Sequence, residues 1–523
     1  MKGLGTSEPD RIFLDGRIWT GDPARPRAEA LAVREDRVVA VGDGKTLLGL
    51  AGPRTECIRL GGAAVFPGFH DAHTHLSGGA LHAARVDLRG AGSAEDAARQ
   101  VAIAARGRAR GEWIRGWGWD HTRWPGGGWP DREVLDRAAP EHRVLLSRID
   151  GHAVWGNARA LESLGIRLGA SEEGVPAGIL LEAQAERALL EAPGEDDATR
   201  RAALLGALAR LGSFGITAVE DVCELWAIPV YASLAREGRL TARVSLWLPL
   251  DMDAVEAEDW RRRHPPSDRW LSVGTRKAFL DGTLGSRSAA LDEAYSDGSG
   301  SRGILRVDPA RLLRDVQEAD ARGWAVALHA IGDRAVRVAL DTLGSLPRRS
   351  REIPHRIEHA QVISPADLSR FAATGAVASL QPVHLLDDAA WVLDRLGPRR
   401  ARRSYPWRSL LREGVPIAMG TDWPIAPLDP LLGLAAATSF RSGSVELDPG
   451  EALPIEEAIR AYTAGSALAR GASASLGRIA PGFLADFVVL SDDPTAIPPE
   501  EITQRVSVVA TYVGACPVFS ARV

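Results

Sequence analysis

Cysteine is scarce in this sequence of 523 residues, which contains three: Cys57, Cys223 and Cys516. None belongs to a Cys-x-x-Cys pair, which argues against a disulfide framework and favours a reducing compartment. The first thirty residues lack a signal-peptide pattern, because aspartates interrupt each apolar run there. No uninterrupted apolar stretch is long enough to cross a bilayer. We therefore expect a cytoplasmic protein with no membrane partner.

An excess of positive charge is also missing. Lys and Arg number 63 against 68 Asp and Glu, a formal net charge of −5, so no basic field would attract nucleic acid. The content of 45% hydrophobic and 25% charged residues is typical of a soluble globular protein. A chain of this length supplies about two to four average domains, or one large barrel with attached parts.

The most informative stretch is the run VFPGFHDAHTH at 65–75. It begins as a short apolar strand pattern and ends in alternating polar residues that do not belong in a packed core. Since successive side chains of a strand point to opposite faces, Asp71, His73 and His75 share one side. Two histidines spaced in this way can bind one metal ion from adjacent directions. A lone His-x-His is more often an ordinary pair of polar loop residues, so the rest of the sequence has to decide.

Strand and helix patterns alternate along the chain after residue 190. Together with the strand at 65–75, eight candidate strands are present, the other seven at 215–221, 242–248, 273–281, 324–330, 356–359, 376–381 and 416–422. Helical patterns such as 309–322 and 334–343 lie between them, as expected for parallel strands with crossover helices. We therefore predict an α/β fold with a (β/α)8 TIM barrel, whose chemistry gathers at the carboxyl ends of the strands.

Both ends of the chain show short strand patterns separated by turn residues. We expect residues 9–66 and 473–523 to meet in one small β-sandwich domain that flanks a barrel of residues 67–472. In the first part, an Asp15-Gly16 turn predicts a hairpin between the strands on either side of it.

Residues 88–190 are predicted to be an insertion after the first barrel strand, dense in tryptophan and rich in loops. Aromatic residues in such a segment most often fill a local core, and direct contact with substrate is the alternative. Within it, the segment from Arg148 through Asp150 and Gly151 to His152 resembles the first motif, because a strand again leads into Asp and His.

Histidine and aspartate recur at the ends of later predicted strands. His329 ends the fifth, His359 ends the sixth and Asp422 ends the eighth. A single core histidine is usually a structural group, but these residues together with His73 and His75 are hard to explain as packing. Imidazole nitrogens and one carboxylate are a ligand set suited to zinc or a similar divalent ion.

Lys277 lies on the fourth predicted strand, on the same face as Phe279 and Asp281. Burial would lower its pKa, and the neutral amine can react with carbon dioxide to give a carbamate that binds two metals. A lysine paired with Asp281, or one that binds substrate, explains the pattern equally well.

Five motifs, in this order, make the chain resemble a known family: PGFHDAHTH at 67–75, KAFLDGTLGSR at 277–287, LHAIGD at 328–333, RIEHAQ at 356–361 and GTDWP at 420–424. The chain resembles the amidohydrolase superfamily and, within it, the amidohydrolase 3 group, which includes N-substituted formamide deformylase-like proteins. The resemblance covers nearly the whole chain, through GRIAPGFLAD at 477–486, the return strand into the small β domain.

The resemblance implies a role for each ligand candidate. His73 and His75 would bind the more buried metal, and Lys277, as its carbamate, would bridge to a second metal held by His329 and His359. Asp422 would bind the first metal and act as base. Substrate contacts are expected from His152, Arg287 and Trp423, whereas Asp71, Asp281 and Asp333 are expected to hold ligands or loops in place.

The function implied is that of a metal-dependent amidohydrolase that cleaves a non-peptide C–N bond of a small amide-type molecule with a metal-activated hydroxide. Its cofactors would be two divalent ions, zinc first among them, and carbon dioxide on Lys277, and a homodimer is the family-level expectation. One alternative is a mononuclear deaminase or cyclic-amide or amidine hydrolase on the same barrel. Another is a non-catalytic regulatory or binding protein that keeps the fold.

Overall fold

The computed structural model describes residues 8–149, 152–166, 175–298, 300–347, 350–442 and 445–521. Residues Asp150 and Gly151 of the second Asp and His motif lie outside these ranges. The chain divides into two compact units: Gly79–Leu204 forms one, and the chain before and after it forms the other.

An eight-stranded parallel barrel is the centre of the larger unit, as the sequence predicts. Its strands are β1 (Phe69–Thr74), β2 (Ile216–Val222), β3 (Arg243–Pro249), β4 (Leu271–Phe279), β5 (Ala325–Ala330), β6 (Arg356–His359), β7 (Val377–Leu380) and β8 (Ile417–Met419). Each strand pairs in parallel with the next along the chain. The (β/α)8 fold class is therefore confirmed.

The first predicted strand is in fact two strands separated by Gly68. Residues Ala64–Pro67 pair antiparallel with Phe487–Leu490, whereas Phe69–Thr74 begins the barrel. A Cβ on Gly68 would lie 2.2 Å from Thr217 Oγ1, so only glycine permits this close approach where the chain passes from one sheet to the other.

Helices lie between the barrel strands in sequence, and the last three of them follow β8. They are Leu76–Ala84, Asp197–Ser213, Ala227–Arg236, Ala254–Arg263, Pro309–Ala321, Asp333–Gly344, Pro365–Thr374, His384–Asp388, Val392–Ala401, Trp407–Arg412, Pro430–Ser439, Ile455–Arg460 and Ser466–Ala469. In Pro309–Ala321, the Asp308 side chain accepts a hydrogen bond from the amide of Arg311, and Pro309 occupies the first turn. None of the helices in the described ranges has both the length and the apolar character that a bilayer crossing requires.

Strands from both chain ends share a six-stranded sheet, formed by Arg17–Trp19, Arg27–Ala28, Ala64–Pro67, Phe487–Leu490, Val508–Val513 and Cys516–Ser520. A four-stranded sheet contains Arg11–Leu14, Ala30–Arg34, Arg37–Gly42 and Glu56–Arg59. The two sheets pack through an aromatic cluster, in which the Phe13 ring centroid lies 5.0 Å from Phe487 and 5.2 Å from Tyr512.

The hairpin predicted at Asp15-Gly16 is wrong. Arg11–Leu14 and Arg17–Trp19 belong to different sheets, so the turn leads from one layer to the other. Asp15 has φ of 59° whereas Gly16 does not adopt a positive φ. A type I′ hairpin turn requires a positive φ at both central residues, so the turn at Asp15-Gly16 is not of this type.

The second unit contains a five-stranded sheet of Val86–Asp87, Trp113–Trp119, Arg143–Arg148, Ala153–Gly156 and Ile179–Leu181. Helices Ala94–Ala105, Arg132–Ala138, Ala158–Ser163 and Glu182–Glu191 accompany it. Trp119, Trp124 and Trp155 are buried in one apolar cluster of this unit. Their rings fill a local core, as the sequence leads us to expect.

Replacing Gly420 by alanine tests how closely the segment after β8 approaches β1. A Cβ there would lie 2.4 Å from the backbone nitrogen of His73, so we expect the variant to lose about 1–3 kcal/mol of unfolding free energy through overpacking. Urea unfolding of the metal-free protein measures this loss. Gly344→Ala is the matched control, because nothing lies within 4 Å of a Cβ there. An equal urea midpoint for Gly420→Ala and the wild type would contradict the prediction.

Candidate metal centre

The first group of candidate ligands comes from the end of the first barrel strand and from the segment after the last one. His73 and His75 lie at the end of β1, and Asp422 follows β8. Asp422 Oδ1 is 3.5 Å from His73 Nε2 and 3.5 Å from His75 Nε2. Backbone hydrogen bonds hold this arrangement, because the Asp422 amide donates to His73 O at 2.7 Å and the His75 amide donates to Trp423 O at 2.8 Å. Three potential ligand atoms therefore lie within 4.8 Å of one another.

A second group shares the same carboxylate. His359, at the end of β6, and His384 form it with Asp422, again with ligand atoms within 4.8 Å of one another. His384 Nε2 lies 3.3 Å from Asp422 Oδ2. The sequence reasoning missed His384, although it follows closely after β7. Its position just beyond a barrel strand is the signal that would have found it.

Unpartnered polar atoms point into this space. Among the described residues, His73 Nε2, His359 Nδ1, His384 Nε2, Asp422 Oδ1 and Lys277 Nζ are buried and have no hydrogen-bond partner. Such atoms are costly to bury unless something binds them. A set of imidazole nitrogens around one carboxylate fits divalent metal ions, so the residues present match the centre that the fold implies.

Electrostatics keeps His75, His359 and Asp422 in the protonation states that metal binding requires. Burial lowers the pKa of His75 to about 4 and that of His359 well below its usual value, so their nitrogens are free to bind a cation. Burial alone would raise the pKa of Asp422, but the neighbouring His73 and His384 outweigh it and hold that pKa below the usual value. Asp422 is therefore ionised at neutral pH.

Lys277, on β4, is almost completely buried and points at aromatic faces. Its Nζ lies 4.9 Å from the ring centroid of Phe279 and 5.6 Å from that of Trp247. Burial lowers its pKa from 10.5 to about 8, which leaves more neutral amine than an ordinary lysine has. The pairing with Asp281 is absent from the described contacts. Asp281 instead accepts hydrogen bonds from the backbone amides of Ala290, Ile331 and Gly332.

His329 lies beside the second group. Its ring centroid is 4.4 Å from that of His359, and its Nε2 is 3.3 Å from Gly282 O. Burial lowers the pKa of His329 to about 3, so it is neutral. The ligand atoms that the structure brings within 4.8 Å include His384 rather than His329. The metal role predicted for His329 stays a prediction.

A buried ion network orients His73. Its Nδ1 lies 2.5 Å from Glu358 Oε2, and Glu358 Oε1 accepts a hydrogen bond of 2.6 Å from Arg356 Nε. Arg356 also donates to Glu220 and to the backbone oxygen of Ala72 in β1. This chain fixes the ring of His73 and leaves its Nε2 facing Asp422, an arrangement that raises the basicity of a metal-binding imidazole.

The other predicted residues are placed as follows. Asp71 accepts hydrogen bonds from the amide and hydroxyl of Thr421. Asp333 Oδ1 accepts one from the amide of Asp292, which fixes a loop. The Trp423 side chain is buried. Arg287 pairs with Asp297 at 2.8 Å, and the exposed His152 lies 3.0 Å from Glu182 in the second unit. Substrate contact by His152, Arg287 and Trp423 stays a prediction.

A cavity of about 410 Å³ opens beside the two ligand groups. His75, His359, His384 and Asp422 line it together with the apolar side chains of Phe279, Leu284, Ile331, Trp391 and Ile425. The site therefore offers a small organic molecule an apolar surface next to the candidate metal ligands.

The sequence profile of the amidohydrolase family matches residues 56–519. The chain belongs to the amidohydrolase family. It is 34% identical to the protein LONG AFTER FAR-RED 3 of Arabidopsis thaliana, and the match covers 97% of this chain and 91% of that protein. It is 26% identical to the N-substituted formamide deformylase of Arthrobacter pascens, across 97% and 98% of the two chains.

A solved structure, that of an uncharacterized metal-dependent hydrolase from Pyrococcus furiosus, matches this amidohydrolase with a TM-score of 0.79. The two are 31% identical, and the match covers 93% of this chain and 99% of the other. Family and structure together identify a metal-dependent hydrolase of the amidohydrolase family.

Replacing Glu358 by glutamine tests the network that orients His73. The variant keeps the shape of the side chain but removes its charge, so we expect metal affinity to fall about tenfold to a hundredfold. Competition with a chelator followed by metal analysis measures this. Glu318→Gln changes an exposed side chain on helix Pro309–Ala321. It is the control and should retain metal as the wild type does. Urea unfolding of the metal-free proteins separates a loss of stability from a loss of affinity. Undiminished affinity in Glu358→Gln would contradict the assigned role.

Proposed function

We propose that this amidohydrolase cleaves a non-peptide C–N bond of an amide-type small molecule. The observation that carries the proposal is the carboxylate of Asp422, which lies within 3.5 Å of imidazole nitrogens from two separate groups at the edge of the cavity. The similarity to an N-substituted formamide deformylase supports an amide as substrate. Two adjacent ligand groups favour a pair of metal ions, with zinc the ion best suited to nitrogen ligands.

Bound metal ions at such a site supply an acidified water and polarise the carbonyl oxygen of the substrate. Asp422 is the base in the proposed reaction, since its carboxylate is ionised at neutral pH and lines the cavity. It takes a proton from water as the water oxygen bonds to the carbonyl carbon. It then delivers that proton to the nitrogen as the C–N bond breaks, which gives a carboxylic acid and an amine.

Lys277 is proposed to carry carbon dioxide as a carbamate. Its neutral amine adds to carbon dioxide and loses a proton, which turns a residue that cannot bind a cation into an anion with two ligand oxygens. Its burial and the lack of a hydrogen-bond partner for Nζ among the described residues support this assignment.

Metal content and intact mass, measured on one sample, test the proposed centre. We expect about two metal equivalents per chain and the added mass of carbon dioxide on Lys277, because the proposed carbamate would supply one oxygen ligand to each of two metal ions. Lys277→Met should lose both the added mass and part of the metal. One equivalent with an unmodified lysine would favour the mononuclear deaminase-like alternative. No metal under replete conditions would rule out the proposed reaction.

Asp422→Asn tests the base. The amide cannot accept a proton, so we expect kcat for a hydrolysed N-substituted formamide to fall about a hundredfold or more. Metal content of the same preparation separates the loss of a base from the loss of a ligand. Asp341→Asn, on an exposed surface pair, is the control and should keep the wild-type rate. A metal-loaded Asp422→Asn variant with the wild-type rate would contradict the assignment.

A further inference from the structure

A single permanent positive charge lines the candidate active-site cavity. Among its described lining residues, Arg306 alone is an arginine or lysine. The backbone of Arg306 is held against the end of β4, because its amide donates to Leu280 O at 2.7 Å. The amide of Ile304 likewise donates to Ser288 O. The guanidinium therefore extends from an anchored point beside the cavity.

The guanidinium of Arg306 is free, in contrast to those of Arg287, Arg395 and Arg399. In the described part of the chain it has neither a hydrogen bond nor an ion pair. Arg287 and Arg395 both bind Asp297, at 2.8 Å and 2.5 Å, and Arg399 binds Glu293. Arginines that face neighbouring carboxylates are thus occupied, and Arg306 is available for an anion from outside the protein.

Among the described residues, no carboxylate that lines this cavity forms an ion pair with Arg306. Burial raises the pKa of Asp281 to about 7, the charge of Arg306 only partly opposes that rise, and both oxygens of Asp281 accept hydrogen bonds from backbone amides. Asp422 lies among the candidate metal ligands, and the two remaining acidic lining residues, Asp387 and Asp388, lie on helix His384–Asp388, where the hydroxyl of Tyr405 binds Asp388. An anionic substrate would be repelled from that helix and attracted to Arg306, which sets its orientation in the cavity.

The surroundings of Arg306 also leave room for a larger substrate. Arg306 and Phe279 line both the cavity beside the metal ligands and a neighbouring cavity of about 440 Å³. Phe279 has 38% of its surface exposed, an unusual value for a large aromatic side chain next to a buried site. It offers an apolar face beside the cation.

We propose that Arg306 binds a carboxylate of the substrate and that the substrates are amides whose organic group carries a carboxylate, such as N-acylated amino acids. This inference rests on the proposed amide hydrolysis. The planar guanidinium forms two parallel hydrogen bonds to a carboxylate, and this interaction holds the amide in one orientation towards Asp422.

A matched pair of amides tests the proposal: N-formylphenylalanine and N-formyl-2-phenylethylamine differ only in the carboxylate. For the metal-loaded wild type, we expect kcat/KM to be about tenfold to a hundredfold higher for the acid. The ratio of the two kcat/KM values should fall to near one in Arg306→Gln. It should be partly restored in Arg306→Lys, which keeps the positive charge but cannot form the two parallel hydrogen bonds of a guanidinium.

Arg302→Gln is the control, because this exposed arginine lies in the same loop but does not line the cavity. It should leave the ratio of the two kcat/KM values unchanged. A wild-type ratio near one, or an unchanged ratio in Arg306→Gln, overturns the inference and leaves amide hydrolysis standing.

If neither formamide is hydrolysed, the proposed hydrolysis has failed for formamides. Calorimetric binding of the same two compounds then tests separately whether Arg306 binds a carboxylate. Tighter binding of the acid that depends on Arg306 supports the inference. Equal binding of the two compounds overturns it.

Discussion

The hydrogen bonds between the end of β1 and the segment after β8 are the interaction on which the rest of the site depends. The buried carboxylate of Asp71 binds both the amide and the hydroxyl of Thr421, and the amide of Asp422 binds His73 O. Gly420 allows the two segments to approach this closely. Residues about 350 positions apart in sequence are thereby joined, and two histidines meet the carboxylate that completes their group.

Burial then determines the chemistry of the assembled groups. It keeps His75 and His359 neutral and lowers the pKa of Lys277, and it would raise the pKa of Asp422 were it not for His73 and His384. The backbone itself is held in uncommon conformations here, with φ of 70° at His359 and 61° at Asp422. Non-glycine residues adopt such angles at a cost, which surrounding hydrogen bonds must offset, and they often occur at functional sites.

The loops after the barrel strands decide what the centre can accept. Helix His384–Asp388 contributes a histidine to the second ligand group and two carboxylates to the cavity wall. Phe279 at the end of β4 and Arg306 in the segment that follows line another part of the cavity, where Arg287 of the same segment is paired with Asp297. The cavity therefore combines apolar surface with acidic and basic side chains.

The sequence by itself determined the barrel, its eight strands and the chemical type of the centre. Strand patterns and strand-end histidines depend on local periodicity, and that is readable without coordinates. Only the tertiary structure decided that His384 joins His359 and Asp422, that Arg287 is bound to Asp297 while Arg306 is free, and that the turn at Asp15 leads to a second sheet. These features depend on which distant side chains meet in space, because ion pairing and sheet assignment are settled by long-range packing rather than by neighbours in sequence.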